Sequence, residues 1–477
     1  MKRDAYKRTL VLVLFVAAAA IGSPAQITFN TLVNFYRPTT GAYPLGSLVQ
    51  GPDGNLYGTT SQGGTYDFGT VFRITPSGRL TTLYNFCSQS GCPDGNGPGA
   101  GLVQATDGNL YGTTTFGGAH DAGTVFKISL SGALTTLYNF CAQPGCADGE
   151  FPLAGVIQAG DGNFYGTTEE GGASSFYGTV FKITPSGSLT TLYSFCAQPN
   201  CADGGIPFAG VIQATDGNLY GTTESGGDFS EGTVFKVTPT GALSVLYSFC
   251  AQPKCTDGAR PYVGVTQGSD GNLYGTTYSG GASDLGTVFK ISPGPELSVL
   301  HSFCTTDCDD GQSPYASLIQ GIDGNFYGST ASGGIHSRGT LFEITPSGAL
   351  TTLHSFDYTH GSFPEAALVE ATDGTFYGTA QNGGAHFFGT VFSLSVGLGP
   401  FVGFVNDSGR IGSPVGILGQ GFTGTTSVSF NGTAASFTVT HDTFLIAVVP
   451  PGATTGFVTV ATPSGSLTSN VPFQVRF

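Results

Sequence analysis

Tryptophan is absent from this chain and basic residues are scarce, with 16 Lys and Arg against 31 Asp and Glu. So few cations exclude a nucleic-acid-binding role, because phosphate backbones are held by Lys and Arg. A net charge of −15 also speaks against docking on an anionic membrane. Without tryptophan a sugar-stacking groove is weakened, although Tyr and Phe can take that place. No run after the first 25 residues is long and apolar enough to span a bilayer. Helical spacing of apolar residues is missing throughout. Neither a G-x-S-x-G nucleophile phrase nor a phosphate-binding loop occurs. No cofactor, metal or catalytic residue is therefore expected.

What remains is glycine and aromatics: 76 Gly, 37 Phe and 20 Tyr. A disordered chain would lack the bulky apolar groups. Glycine with aromatics reads instead as many short strands joined by tight turns. Asp-Gly opens a unit seven times, at Asp53, Asp107, Asp161, Asp216, Asp270, Asp323 and Asp373. An answering Gly-Thr follows at Gly69, Gly123, Gly178, Gly232, Gly286, Gly339 and Gly389. A period of this size marks an array of one supersecondary unit.

Each unit reads as four antiparallel strands. Residues 101–105, 110–114, 124–129 and 134–140 are the strands of the second unit. Apolar groups fall on both faces, so each sheet must be sandwiched. Radial stacking of such sheets is a β-propeller. A straight solenoid is the alternative, but its repeats are usually shorter and it needs caps. The seventh unit ends at Ser395 without a fourth strand, while Thr31–Phe35 precedes the first unit as a surplus one. We therefore expect a seven-bladed all-β propeller in which residues 29–35 supply the outermost strand of the last blade and remove two exposed sheet edges. Residues 26–395 would form it, 396–402 a linker, and 403–477 an immunoglobulin-like β-sandwich.

The first 25 residues read as an export signal: Lys2, Arg3, Lys7 and Arg8, then an apolar run to Gly22, then Ser23-Pro-Ala25. Ten cysteines fall in five close pairs, Cys87/Cys92, Cys141/Cys146, Cys196/Cys201, Cys250/Cys255 and Cys304/Cys308. Zinc sites usually use C-x₂-C with a second pair converging in space. The wider spacing here, in an exported chain, predicts five local disulfides. The expected location is secreted or cell-surface.

The phrases D-G-N-L-Y-G-T-T and G-T-V-F-K-I-T-P-S-G resemble the GloVer tandem repeat of bacterial choice-of-anchor exported proteins, over about residues 29–395. That resemblance implies an exported repeat protein of undefined molecular role. Residues 416–422, 428–432 and 449–456 look like an IPT/TIG domain, which implies an immunoglobulin-like fold serving as spacer or adhesion module.

Strand order puts the Asp-Gly-Asn and Pro-Ser-Gly turns on one rim, and the Gly-Gly and Cys loops on the other. The first rim is nearly invariant and reads as structural. The second varies, which is where binding is expected. Its candidate ligand-binding residues are Tyr66, Asp67, Phe68, His120, Asp121, Phe176, Tyr177, Phe229, Glu231, Asp284, His336, Arg338, His386, Phe387 and Phe388. Aromatics beside adaptable polar groups suit a glycan or protein ligand, although the same rings could simply cover the blade ends. The repeated Asp reads as a turn residue, since one carboxylate beside Gly-Asn does not make a calcium site. Asp148 and Asp203, behind the second cysteine of their pairs, read as turns too. A non-enzymatic binding module is expected; a carbohydrate-active hydrolase or lyase using the same face is the alternative. Oligomeric state is left open.

Overall fold

The Asp-Gly-Asn phrase closes its own turn. In the computed structural model, which describes residues 27–174 and 176–476, Asp107 Oδ1 accepts the Asn109 backbone N–H at 3.0 Å. Asp107 Oδ2 accepts the Asn109 side-chain amide and the Tyr111 hydroxyl, both at 2.9 Å. The same three bonds recur at Asp53, Asp161, Asp216, Asp270 and Asp323. With these bonds made, the carboxylate is spent on the turn. The export signal expected at 1–25 lies outside the described residues.

Each repeat becomes one four-stranded antiparallel sheet, and the described residues contain no α-helix. In the second repeat the order is Val103–Gln104, Leu110–Thr114, Thr124–Ile128, Leu134–Asn139. The second and third strands are buried, because both faces meet neighbouring sheets. Gly112 is required there: a Cβ would meet Phe126 Cζ and Leu102 Cδ2 at 2.7 Å. The outer strand carries a bulge. Val125 opposes Tyr138 and Phe126 opposes Thr136, so Leu137 is extra.

The seventh repeat takes its outer strand from the other end of the chain. Thr28–Asn34 pairs antiparallel with Thr390–Ser395, outside Phe376–Ala380 and Val369–Glu370. Its register carries the same bulge at Leu32, since Thr31 opposes Phe392 and Val33 opposes Val391. Phe35, Phe72 and Ile74 beside the first sheet share an apolar cluster with Tyr377 and Val391 of the seventh.

Three sets of hydrogen bonds join neighbouring sheets. The residue before each inner-strand proline donates its N–H to the preceding repeat. Examples are Ile206 to Tyr177 O and Arg260 to Glu231 O, and Tyr43 to Phe388 O joins the first repeat to the seventh. A glutamine ending the inner strand accepts the N–H that follows the inner strand of the preceding repeat: Gln158 from Thr106, Gln213 from Gly160, Gln267 from Thr215, Gln320 from Ser269, and Gln50 from Thr372. The second-strand threonine donates to the next repeat, as Thr113 to Ala154 O and Thr379 to Gly46 O. Buried polar groups have to be paired, and here the pairing is spent on holding one sheet against the next.

Gly403 to Arg476 form two further four-stranded sheets and a parallel pair, Ser408–Arg410 with Gln474–Arg476. Their shared core holds Ile417, Phe422, Phe430, Leu445, Val458 and Phe473. Val402, in the expected linker, is buried in the same core.

This C-terminal unit sits on the Asp-Gly-Asn rim. Thr443 Oγ1 donates to Pro52 O at 2.8 Å, Gln420 Nε2 to Thr372 Oγ1 at 3.0 Å, and Arg476 Nη2 to Gln213 Oε1 at 3.2 Å. Those partners belong to the first, seventh and fourth repeats, so the unit spans the inner-strand ends. Between unit and sheets lies a cavity of about 380 Å³ lined by Val49, Gln50, Gln158, Glu370, Phe404 and Asp407. The rim read as purely structural is thus also a seat.

Candidate functional site

Seating the C-terminal unit on one rim leaves the Gly-Gly and Cys loops as the other. The Cys loops are tied by five disulfides at the expected pairs, Cys87–Cys92, Cys141–Cys146, Cys196–Cys201, Cys250–Cys255 and Cys304–Cys308. Bridging alone, the role expected for the second cysteine of each pair, is too narrow. Cys92, Cys146, Cys201, Cys255 and Cys308 all take positive φ, between +47° and +61°. That turn aims each carbonyl at two glycine N–H groups. Cys92 O accepts from Gly95 and Gly118, Cys201 O from Gly204 and Gly227, Cys255 O from Gly258 and Gly281, and Cys308 O from Gly311 and Gly334. The second glycine of each set lies in the Gly-Gly loop of the next repeat, so these backbones lock the two kinds of loop together. Cys146, Cys201 and Cys255 also end single turns of 3₁₀ helix, Pro144–Cys146, Pro199–Cys201 and Pro253–Cys255, where only a loop was expected.

Each Cys loop also closes around an aspartate. Asp148 accepts the Tyr138 hydroxyl at 2.7 Å and the backbone N–H groups of Ala142 and Gln143 at 2.9 and 3.0 Å. Asp203 and Asp257 repeat this arrangement. These aspartates are therefore loop anchors buried in the sheet end, which is more than the turns expected at Asp148 and Asp203. Among the described residues the one group of three metal-capable side chains is Cys141, Cys146 and Glu150. Its two sulfurs are joined to each other.

The expected ligand residues divide into three kinds. Asp67, Asp121 and Asp284 take φ of +69°, +57° and +60°, where short polar side chains are tolerated. Asp121 accepts Gly117 N–H and Asp284 accepts Gly280 N–H, so these carboxylates shape the loop. Asp67 is held by Arg37 at 2.8 Å, which keeps its carboxyl below the usual range. Glu231 likewise pairs with Arg260 at 3.1 Å, and the Arg338 guanidinium lies 4.9 Å from the Tyr358 ring centre. Tyr177 and Phe388 are half-buried and pack against the apolar clusters. The rest face solvent: Phe176 is 68% exposed and Phe387 61% exposed, and Tyr66, Phe68 and Phe229 are also open. His120 and His336 are exposed and His386 packs on Tyr36. Ile335, not singled out in the sequence, is the most open at 73%.

A second group lies inside this rim, at the starts of the inner strands, and none of it was expected. Ile206, Arg260, Ser313 and Phe363 adopt φ between +52° and +57° directly before a proline. The residues after those prolines are Phe208, Tyr262, Tyr315 and Glu365. The carbonyls of Phe151, Ile206 and Arg260 accept the N–H groups of Glu169, Glu224 and Tyr278, which fixes the ends of the second strands beside them. The side chains then meet. Tyr262 OH donates to Glu224 Oε1 at 2.9 Å. The Tyr262 ring is 5.1 Å from Phe208, 5.0 Å from Tyr278 and 5.3 Å from Tyr315.

The electrostatics of this cluster are unbalanced. Burial pushes Glu365 up to about 7. Burial, then Glu170 and Glu224, raises Glu169. Burial, then Glu365, pushes Tyr315 up to about 12, and burial with the Glu224 hydrogen bond does the same for Tyr262. Among the described residues neither Glu169, Glu224 nor Glu365 forms an ion pair. The signal was present in the repeats. The position after the inner-strand proline reads Leu45, Gly99, Leu153, Phe208, Tyr262, Tyr315, Glu365, varying beside a constant proline.

The sequence matches the Gloeobacter/Verrucomicrobia repeat over residues 90–254 and 216–440. No curated protein matches it. Among solved structures, the extracellular domain described as that of a hybrid two component system from B. thetaiotaomicron superposes with a TM-score of 0.50 at 12% identity. The match covers 94% of this chain and 57% of that one, so this chain spans little more than half of that structure. A protein described as a 6-phosphogluconolactonase from Bacteroides uniformis gives 0.43 at 15% identity, over 80% of this chain and 92% of that one. A gluconolactonase from Xanthomonas campestris gives 0.37 at 13%, over 79% and 92%. At such identity the first likeness is one of fold, an all-β chain of repeated sheets.

Proposed function

The chain belongs to the Gloeobacter/Verrucomicrobia repeat family, and from that premise we propose that it is an exported, non-catalytic binding protein. In this reading the seven repeat sheets close into a seven-bladed propeller. An immunoglobulin-like unit of IPT/TIG type, beginning near residue 403, occupies one rim, and a glycan or protein ligand is taken at the other. The closing pairs between the first and seventh repeats support the ring, and the five disulfides support export.

The observation that carries the binding reading is the cluster of Phe208, Tyr262, Tyr278 and Tyr315 with Glu169, Glu224 and Glu365. Aromatic area beside acceptors, at the end of the inner strands that the C-terminal unit leaves open, is the composition of a recognition site. Glycan-array and pull-down screening of the full chain tests it. A ligand lost on Tyr278→Ala is expected, with melting temperature kept because Tyr278 is already 37% exposed. Ligands indifferent to Tyr278→Ala would sink this placement.

One observation favours the hydrolase reading. Glu365 is pushed up to about 7 by burial, where a carboxyl serves as a general acid at neutral pH. Release of reducing ends from a polysaccharide panel, abolished by Glu365→Gln, would establish that reading instead.

A further inference from the structure

We infer that the cluster at the open rim takes the cationic side chain of a basic polypeptide segment, a lysine or arginine set among tyrosine faces and glutamates. This rests on the binding reading above and names its ligand.

Three observations carry it. Glu169, Glu224 and Glu365 are half-buried and no ion pair neutralises them. Arg260, which acts on Glu224, has its guanidinium already paired with Glu231 at 3.1 Å. Glu170 adds further negative charge next to Glu169, and Glu150 adds more next to Glu170. A half-buried carboxylate without a cation is costly, and an arriving cation removes that cost. A neutral sugar would not.

The second observation is the rings. Tyr262, Tyr278 and Tyr315 lie 5.0, 5.3 and 6.1 Å apart, centre to centre, two of the three contacts being edge-on. Ring faces attract ammonium and guanidinium groups. The Tyr262 hydroxyl donates to Glu224, so π face and carboxylate belong to one hydrogen-bonded unit.

The third is the surround. Phe176, Ile335 and Phe387 stand exposed on the same rim. A segment that carries basic and apolar side chains together is a polypeptide, and the net charge of −15 draws such a segment in.

The test is titration of the full chain with fluorescently labelled octalysine at physiological salt, with chitin and glucosamine hexamers as comparison ligands. Octalysine is expected to bind. Tyr278→Ala and Glu224→Gln should each weaken it by about tenfold, while Tyr278→Phe stays within about twofold. Glu296→Gln removes the same charge from an exposed turn and should leave affinity unchanged. Equal weakening by Glu296→Gln would mean bulk charge alone and overturn the inference, as would absence of octalysine binding. Glucosamine-hexamer binding without octalysine binding would overturn it too. A neutral ligand lost on Tyr278→Ala would remove the cation but keep the binding reading. Failure of every ligand to respond to Tyr278→Ala would remove both.

Discussion

Gln104 Oε1 is buried without a protein partner because the residue placed to meet it, Pro52, has no N–H. Every other repeat makes that bond: Gln158 to Thr106 at 2.9 Å, Gln50 to Thr372 at 3.0 Å, and Glu370 to Ile322 at 3.1 Å. Pro52 instead offers its carbonyl to Thr443 of the C-terminal unit. One position therefore gives up a contact between sheets where the two parts of the chain join.

This asymmetry gives a paired test. Gln50→Ala strands the buried Thr372 N–H and loses the bond to Thr372 Oγ1, whereas Gln104→Ala strands no such donor. An unsatisfied buried donor costs about 1–3 kcal/mol. Urea unfolding should find Gln50→Ala less stable than Gln104→Ala by about 1 kcal/mol or more. Equal midpoints would show that these bonds do not hold the sheets together.

Phe35 follows the strand that completes the seventh sheet, is fully buried, and lies 5.2 Å from Phe72 of the first. If the array is closed, Phe35→Ala opens a cavity at the seam and should cost about 3–5 kcal/mol. Chemical denaturation checks it. A loss under about 1 kcal/mol would mean that the seam is loose and the ring open.

Glu370 stands where the other six repeats have glutamine. In four of those the amide donates to its own turn, as Gln320 to Gly324 O at 2.9 Å. A carboxylate cannot donate, and Glu370 Oε1 is buried without a partner. Burial pushes this carboxyl from 4.5 up to about 7. The folded state then holds the proton more tightly than the unfolded state. Its contribution is full below about pH 4.5 and is lost as pH rises through about 7. Glu370→Gln should therefore raise the melting temperature at pH 8, by up to about 3 kcal/mol of stability, and by much less at pH 5. A gain independent of pH would refute this account.

Asp148 holds its Cys loop with three hydrogen bonds beside a disulfide that spans only five residues. Closing so short a loop is worth about 2 kcal/mol in the chain-entropy model. Truncating the aspartate leaves two N–H groups and a hydroxyl unpaired. Asp148→Ala should lower stability at least as much as replacing Cys141 and Cys146 by serine, by about 2–4 kcal/mol. Calorimetry of the two variants would show the reverse order if the disulfide, and not the carboxylate, fixes the loop.

How much of this was written in the chain differs by level. The four-strand unit was legible because alternation, Asp-Gly-Asn turns and Gly-Thr returns are local signals, each set by a few adjacent residues. Even the pairing of Thr28–Asn34 with Thr390–Ser395 had a local mark, a strand left over at one end and lacking at the other. The cysteine pairs were legible from spacing, but the carbonyl bonds of Cys92, Cys201, Cys255 and Cys308 to the Gly-Gly loops were not, because they join residues of successive repeats. The loop candidates were found as variable residues, but the backbone role of Asp67, Asp121 and Asp284 at positive φ was not, because the same place holds Ser230, Ser337 and Phe387 in other repeats.

The sequence by itself determined the repeat, its strands, its turns and its disulfide loops, because these depend on contacts a few residues apart. Only the tertiary structure decided which rim is covered and what lies within the other. Thr443 meets Pro52 from 391 residues away, and Tyr262 meets Glu224 across a repeat boundary. Such neighbours are chosen by how sheets stack and where a second unit can find groups able to take a further hydrogen bond. That choice is made by packing in three dimensions, and a linear pattern carries no direct mark of it.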